Sequence, residues 1–275
     1  MDDVEDRSRL AHTPPAPSSE ARAAAEGRSI GRVTPASRYG DVVAALSAAQ
    51  KTSQGAPAYS RFVNRKLGRL IAAQAFRMKM TPNMITAISA FFSFAAIALL
   101  ALHRPTLWSG VLICLGLVLG YAFDAADGQL ARLQGGGSPS GEWLDHMVDA
   151  TKIASLHLAV LISAYRFIDI PEAALLIPVG FTVVAVVMFF GMLLNDQLRR
   201  QQEARTGLAV PRGTATSFVR SVLVIPTDYG LMCVLFVLLG APRVFFWVYA
   251  VIFLANAGFM ALASVKWFRD MKALA

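Results

Sequence analysis

Residues 84–102 read MITAISAFFSFAAIALLAL, a stretch of nineteen residues without a charged side chain. About 20 apolar residues in a helix span the ~30 Å hydrocarbon core of a bilayer. The whole chain of 275 residues has the same character, since it is 55% hydrophobic and only 16% charged, whereas soluble domains carry about 25% charged residues. We therefore predict an integral membrane protein, which excludes most soluble function classes.

Five further segments have this length and composition, and helix-breaking turns such as Ile170-Pro171 and Gly240-Ala241-Pro242 separate most of them. The sequence predicts an all-α fold with six transmembrane helices. Their expected bounds are Met84–Leu102, Leu107–Ala126, Trp143–Tyr165, Ala173–Leu194, Ser217–Leu239 and Val244–Trp267.

Two segments precede the predicted six-helix domain, which covers residues 81–275. Residues 1–58 are rich in Ala, Ser, Pro and Arg with almost no aromatic residues, which predicts a disordered tail. Residues 59–80 alternate apolar side chains such as Phe62 and Leu70 with Arg and Lys. This pattern predicts an amphipathic juxtamembrane helix in the membrane interface, facing lipid headgroups, although a solvated helix face is the alternative.

The basic residues predict the orientation. Of the 26 Lys and Arg residues, 22 fall on one side of the predicted membrane, and only Arg104, Arg166 and Arg243 occupy the opposite loops. By the positive-inside rule both termini are expected to be cytoplasmic. The net charge of +8 is thus explained by topology, and we expect no nucleic-acid partner.

Four carboxylates lie in or beside the second and third predicted spans: Asp124, Asp127, Asp145 and Asp149. Acids are costly there and usually face a cavity or a partner. The first two are three residues apart and the last two are four apart, so each pair shares a helix face. Converging carboxylates suit hard cations such as Mg²⁺ or Mn²⁺, and a two-metal site could hold a phosphoryl group. A salt-bridged structural network, or a proton or cation path, is the alternative.

These residues belong to a longer pattern, D-x2-D-G-x2-A-R-x8-G-x3-D-x3-D. The pattern strongly resembles the signature of CDP-alcohol phosphatidyltransferases, among them the phosphatidylinositol-phosphate, phosphatidylglycerophosphate and phosphatidylserine synthases. Every fixed position is filled, by Asp124, Asp127, Gly128, Ala131, Arg132, Gly141, Asp145 and Asp149. A weaker family feature is the Pro-Asn-x-x-Thr stretch from Pro82 to Thr86.

The resemblance implies transfer of a substituted phosphoryl group from a CDP-linked alcohol to a second alcohol, with release of CMP. The donor expected is CDP-diacylglycerol, and the acceptor is a polyol, a phosphorylated polyol or an amino alcohol. A homodimer in a bacterial plasma membrane is also implied, with the active site cytoplasmic.

The resemblance also assigns roles to residues. The four aspartates would bind two Mg²⁺ or Mn²⁺ ions, and Asp149 would also act as general base on the acceptor hydroxyl. A larger set would shape the nucleotide pocket: Gly128, Ala131, Arg132, Gly141, Asn83 and Thr86.

Three residues are candidates for the acceptor site: Lys152, Asp228 and Arg220. Each has a structural alternative, because Lys152 could pair with Asp145 or Asp149, and Asp228 could pair with Arg220. His146 and His157 are interpreted as cavity-lining residues or interhelical hydrogen-bonding residues.

Two other function classes stay open at this point. The buried acids could couple cation or proton movement in a transporter, although no inverted repeat is evident in the sequence. The second class is a catalytically silent homologue with a scaffolding role. CMP formation from a CDP-alcohol would distinguish the transferase from both.

Overall fold

The computed structural model describes residues 33–50, 57–208 and 227–273, and these residues form helices without any strand. The predicted all-α class is therefore confirmed for the described part of the chain. The α-helices are α1 (Tyr39–Ala48), α2 (Arg65–Arg77), α3 (Pro82–Leu102), α4 (Leu107–Leu133), α5 (Pro139–Phe167), α6 (Leu176–Thr206), α7 (Tyr229–Leu235) and α8 (Pro242–Lys272). One π-helical turn, Ser60–Asn64, precedes α2, and 3₁₀ turns at Glu172–Leu175 and Phe236–Gly240 precede α6 and follow α7.

Five of the described helices are long and apolar enough to cross a membrane: α3, α4, α5, α6 and α8. This marks the chain as an integral membrane protein. We predicted six spans, one more than these five. The additional one is the fifth, Ser217–Leu239, and its residues 217–226 lie outside the described residues. The described remainder is the short apolar helix Tyr229–Gly240, which is well below the ~20 residues of a complete span.

The N-terminal region contains more structure than we predicted. Residues 39–48, within the segment expected to be disordered, form α1, so that expectation is wrong for this part. Its apolar side chains Val42, Ala45 and Leu46 are buried, which is the i, i+3, i+4 spacing of one helix face. The rest of the predicted tail, residues 1–32 and 51–56, lies outside the described residues.

Helix α2 lies inside the predicted amphipathic segment and has two distinct faces. Small residues such as Ala72 and Ala73 are buried together with Phe76, while Leu67 and Leu70 are exposed. A Cβ at Gly68 would contact Ala125 and Gln129 of α4, so glycine allows α2 to approach α4 closely. This face places the basic segment beside the helix that carries Asp124 and Asp127.

Hydroxyl side chains cap the starts of three helices that line the site. Thr81, Thr106 and Ser138 each accept a hydrogen bond from a backbone N–H in the first turn of α3, α4 and α5, respectively. Such N-caps satisfy amide groups that would otherwise have no partner.

The turn between α4 and α5 contains Gly135 and Gly136 with φ of +104° and +119°, which glycine adopts without steric cost. This turn brings the two aspartate pairs to the same end of the bundle.

Close contact between α3 and α4 fixes the first aspartate pair. The Ser89 hydroxyl donates to the carbonyl oxygen of Gly120 over 2.8 Å, and a Cβ at Gly116 would lie 2.9 Å from the Cβ of Ala96. Small residues allow such approach in membrane bundles, where packing and interhelical hydrogen bonds drive association. The relative position of α3 and α4 is therefore set one to two turns from Asp124.

A large aromatic core lies toward the other end of the bundle. Phe236, Phe245, Phe246 and Tyr249 are almost completely buried there. The rings of His157 and Phe181 stack with their centroids 4.0 Å apart. The predicted interhelical role of His157 agrees with this position, because its Nδ1 and the Tyr249 hydroxyl are joined by a 2.8 Å hydrogen bond between α5 and α8.

Candidate active site

One cavity of about 860 Å³ lies at the end of the bundle where α4 ends and α5 begins. We call it the signature cavity. Residues of α3, α4, α5 and α6 line it, together with the glycine-rich turn between α4 and α5. Eight of the residues predicted for the site are among them: Asn83, Thr86, Asp127, Gly128, Ala131, Arg132, Gly141 and Asp145. One aspartate from each of α4 and α5 and the weaker motif in α3 thus converge on one space.

Asp127 is the most buried signature aspartate and faces this cavity. The Thr86 hydroxyl of α3 donates a hydrogen bond to its Oδ2 over 2.6 Å. A buried carboxylate needs such partners, because losing water is costly for a charged group. The Pro-Asn-x-x-Thr stretch therefore has a specific structural consequence, since its threonine orients an aspartate of the main signature.

Asp124 and Asp149 are joined by a buried cation. The Lys152 ammonium lies 2.6 Å from Asp124 Oδ1 and 2.7 Å from Asp149 Oδ1, and Lys152 is only 6% exposed. Lys152 thus forms the ion pair with Asp149 that was its structural alternative, and it forms a second ion pair with Asp124. Neither of these aspartates lines the signature cavity, so the four carboxylates divide into two that face it and two that face Lys152.

A possible metal group forms at the start of α5. Side-chain ligand atoms of Asp145, His146 and Asp149 lie within 4.8 Å of one another. Carboxylate oxygens suit Mg²⁺ and Mn²⁺, and imidazole nitrogen binds several divalent metals. The donor set therefore fits a divalent cation. His146 was not among the predicted ligands. Its position directly after Asp145 in the sequence was the signal that could have identified it.

Two glycines of the signature lie next to polar side chains of the site, and the contact at Gly141 is the tighter one. A Cβ at Gly141 would lie 3.1 Å from Asn83 Oδ1, and one at Gly128 would lie 3.4 Å from a guanidinium nitrogen of Arg132. Gly141 thus lets α5 begin directly against the Asn83 amide of α3. Gly128 and the Arg132 guanidinium are neighbours at the cavity surface, where a Cβ at residue 128 would make an ordinary van der Waals contact.

Two carboxylates of the cavity, Glu142 and Asp196, were not predicted as site residues from the sequence. Arg200 of α6 forms ion pairs of 2.9 Å with Glu142 Oε1 and 2.8 Å with Asp196 Oδ2, and all three line the cavity. The Asp196–Arg200 spacing of i, i+4 was a detectable signal. The partner on α5 could not be detected, because it depends on how α5 and α6 are placed.

Asp228, predicted as a candidate acceptor residue, lies away from the cavity lining. Its Oδ1 accepts a 3.1 Å hydrogen bond from Gly230 N, which caps α7, and its Oδ2 accepts one of 2.8 Å from Tyr59 N. Each carboxylate oxygen thus holds a backbone N–H, which gives Asp228 a structural role, and its role in acceptor binding stays a prediction. The alternative partner, Arg220, lies outside the described residues.

A comparison with known protein families identifies the chain. The model for the CDP-alcohol phosphatidyltransferase family matches residues 79–255, which is more than half of the sequence. The chain belongs to the CDP-alcohol phosphatidyltransferase family. The matched region begins just before α3 and includes the complete signature and every described residue that lines the cavity.

Individual relatives match shorter regions. Phosphatidylinositol phosphate synthase of Corynebacterium glutamicum is 34% identical over 103 residues, which cover 38% of this chain and 45% of that protein. Cholinephosphotransferase 1 of Xenopus laevis is 31% identical over 98 residues, which cover 34% of this chain and 24% of that protein. The chain therefore matches less than half the length of either curated relative.

Two solved structures of phosphatidylinositol phosphate synthase from Mycobacterium tuberculosis are also similar. The one with CDP-DAG bound has 21% identity and a TM-score of 0.44, covering 75% of this chain and 94% of that chain. The one in complex with manganese and citrate has 20% identity and a TM-score of 0.42, with coverages of 73% and 87%.

Proposed function

We propose that this family member transfers a phosphatidyl group from CDP-diacylglycerol, or a related phosphoryl group from another CDP-alcohol, to the hydroxyl of a second alcohol. CMP is the other product. The observation that carries the proposal is the complete family signature, whose residues surround one cavity or lie directly behind it. The family match favours this reaction over the transporter.

The four aspartates would hold two divalent cations, Mg²⁺ or Mn²⁺. Bound cations would neutralise the charge of the diphosphate and of the phosphoryl group during transfer. The hydrogen bond from Thr86 would keep Asp127 in position to bind a cation. Asp145 and Asp149 lie close enough together, with His146, to bind one cation. Lys152 would keep Asp124 and Asp149 near each other by attracting both carboxylates.

The donor would bind along the cavity surface with its CMP portion near Asn83 and Gly141. Arg132 has a planar, permanently charged guanidinium, which matches the geometry of phosphate oxygens. Gly128 and Ala131 leave space beside it for the diphosphate. This arrangement supplies positioning and charge stabilisation, which are the main requirements of phosphoryl transfer.

The acceptor hydroxyl would be activated by Asp149. The carboxylate takes the hydroxyl proton while the hydroxyl oxygen forms a bond to the phosphorus of the donor. The bond from this phosphorus to the CMP oxygen breaks, so the phosphoryl group moves from CMP to the acceptor. Lys152, 2.7 Å from Asp149, stabilises the carboxylate before it accepts the proton.

The membrane setting follows from charge. We propose that the signature cavity opens on the cytoplasmic side of a bacterial plasma membrane, because 22 of 26 basic residues belong to the same side. The basic segment 59–80 would contact anionic lipid headgroups. A homodimer and a six-helix domain at 81–275 are part of the proposal, as the family resemblance implies.

CMP release from CDP-diacylglycerol by purified protein tests the proposal. The acceptors would be inositol phosphate, glycerol 3-phosphate, inositol, serine and choline, which separate phosphorylated polyols, polyols and amino alcohols. Asp149→Asn should lower the rate with the preferred acceptor about 10²- to 10⁴-fold through loss of the base.

Asp169→Asn is the matched control, because this exposed carboxylate lies outside the cavity and pairs with Arg243. It should keep the wild-type rate. Wild-type activity in Asp149→Asn would refute the assigned base, and absence of CMP release with every acceptor would refute the donor.

A further inference from the structure

Helix α7 begins at a rigidly held point beside the aspartates. Asp228 caps the helix and also binds the backbone N–H of Tyr59. Gly230 contacts the Tyr59 ring so closely that a Cβ at this position would overlap it. The backbone on both sides of Tyr229 is thus fixed by contacts with the segment before α2.

The Tyr229 ring belongs to a cluster with Tyr121 and Tyr59, which we call the tyrosine cluster. Tyr229 and Tyr121 pack edge to face with centroids 5.0 Å apart, and Tyr121 and Tyr59 stack with centroids 6.3 Å apart. Tyr121 lies on α4 one turn before Asp124, so the cluster adjoins the carboxylates. The ring of Tyr229 therefore has a defined position next to the proposed reaction centre.

The hydroxyl of Tyr229 is buried and has no hydrogen-bond partner among the described residues. Its ring packs against Tyr121, one turn before Asp124, and Asp124 and Asp149 are the two aspartates that share Lys152. In contrast, the Tyr121 hydroxyl is satisfied by Ser60. An unpaired buried hydroxyl is costly, so its donor is available for a ligand oxygen.

The position of this donor relative to the nucleotide residues indicates which ligand it meets. Asn83, Thr86 and Arg132 line the signature cavity, but Tyr229 does not. Tyr229 instead packs against Tyr121, beside the turn of α4 that carries Asp124. Lys152 joins Asp124 to Asp149, the residue that we propose removes the acceptor proton. The hydroxyl is thus associated with the acceptor side of the aspartates.

We infer that the Tyr229 hydroxyl donates a hydrogen bond to an oxygen of the acceptor alcohol and thereby orients the acceptor at Asp149. This inference rests on the proposed function. It makes Tyr229 a determinant of acceptor binding that lies outside the eight-residue signature. It also gives the Asp228 cap a purpose, because the cap and Tyr59 keep the phenol in place.

Tyr229→Phe tests the inference, with Tyr121→Phe as the matched control from the same cluster. Loss of one neutral hydrogen bond should raise the KM for the preferred acceptor about threefold to tenfold. The KM for CDP-diacylglycerol should stay within about twofold of wild type, because the donor binds elsewhere. Tyr121→Phe should leave both KM values unchanged, and its unfolding temperature reports the loss of the Ser60 contact.

An unchanged acceptor KM in Tyr229→Phe, or an equal rise in Tyr121→Phe, would overturn the inference. If Tyr229→Phe does not fold, 4-fluorophenylalanine at position 229 replaces the hydroxyl with a group of similar size that cannot donate, and the same KM comparison decides. A wild-type protein that releases no CMP would instead refute the proposed function, so the two failures are distinguishable.

Discussion

Buried polar side chains occur at two levels of helix α5, and their surroundings differ. Near the start of the helix, Asp149 and Lys152 form a charged group with Asp124 of α4. Farther along, His157 lies among aromatic rings and shares one hydrogen bond with Tyr249. Both regions are buried and both join α5 to a neighbouring helix.

The difference shows that burial of a polar residue does not by itself indicate chemistry. At His157 one neutral hydrogen bond and ring stacking satisfy the side chain, so the group can only hold helices together. At the aspartates, two of the four carboxylates share one buried ammonium, and the other two line a cavity. Added cations can balance this excess of negative charge. The charged region can therefore bind cations, whereas the aromatic core cannot.

After Asp149→Asn, the largest effect is expected from Asp127→Asn in the charged region. This change keeps the size of the side chain but removes a proposed metal ligand that faces the cavity. CMP release should fall about 10²- to 10³-fold, as for loss of a group that stabilises transition-state charge. Rates are measured with CDP-diacylglycerol and the preferred acceptor at saturating divalent cation. A rate within a few-fold of wild type would show that Asp127 is not a ligand.

Lys152→Met should have the next largest effect, on stability. Breaking a buried ion pair by removing one partner typically costs about 3–5 kcal/mol, and here two carboxylates lose their cation. Thermal unfolding in detergent should show this loss, and added Mn²⁺ should restore part of it by replacing the ammonium charge. The control is Lys266→Met, whose exposed pair with Asp270 should contribute about 0–1 kcal/mol. Equal losses in both variants would contradict the account.

Tyr249→Phe should have the smallest effect and sharpens the contrast with the aromatic core. The change leaves His157 Nδ1 without its partner, which should cost about 1–3 kcal/mol of stability. CMP release and both KM values should match those of wild type in the folded protein. Tyr165→Phe, at an exposed position, controls for loss of a phenol. A tenfold loss of activity without unfolding would mean that this core takes part in the reaction.

Much of the charged region could be predicted from sequence because its information is local. Spacings of three and four residues place Asp124 with Asp127 and Asp145 with Asp149 on helix faces, and the short glycine-rich turn makes the two faces converge. The structure brings the predicted Asn83, Thr86, Arg132 and Gly141 to the same cavity. The length of apolar segments likewise predicted the five long helices.

Other features depended on contacts between distant segments. From the sequence, Asp228 was a candidate acceptor residue. In the structure its carboxylate accepts a hydrogen bond from the backbone N–H of Tyr59, which is 169 positions away. The link between Arg200 and Glu142 depends on the placement of α6 beside α5. Helix α1 was missed because its composition resembles that of the surrounding tail, while its three apolar residues are buried only in the folded chain.

Release of CMP by the purified wild-type protein, measured across divalent-cation concentrations, tests the central claim most directly. The assay uses CDP-diacylglycerol with the acceptor panel and compares added Mg²⁺, added Mn²⁺ and excess chelator. We expect acceptor-dependent CMP release that rises with either or both cations and stops in chelator. No release with any acceptor, or the same rate in excess chelator, would contradict the claim that the aspartate region is a metal-dependent phosphoryl-transfer site.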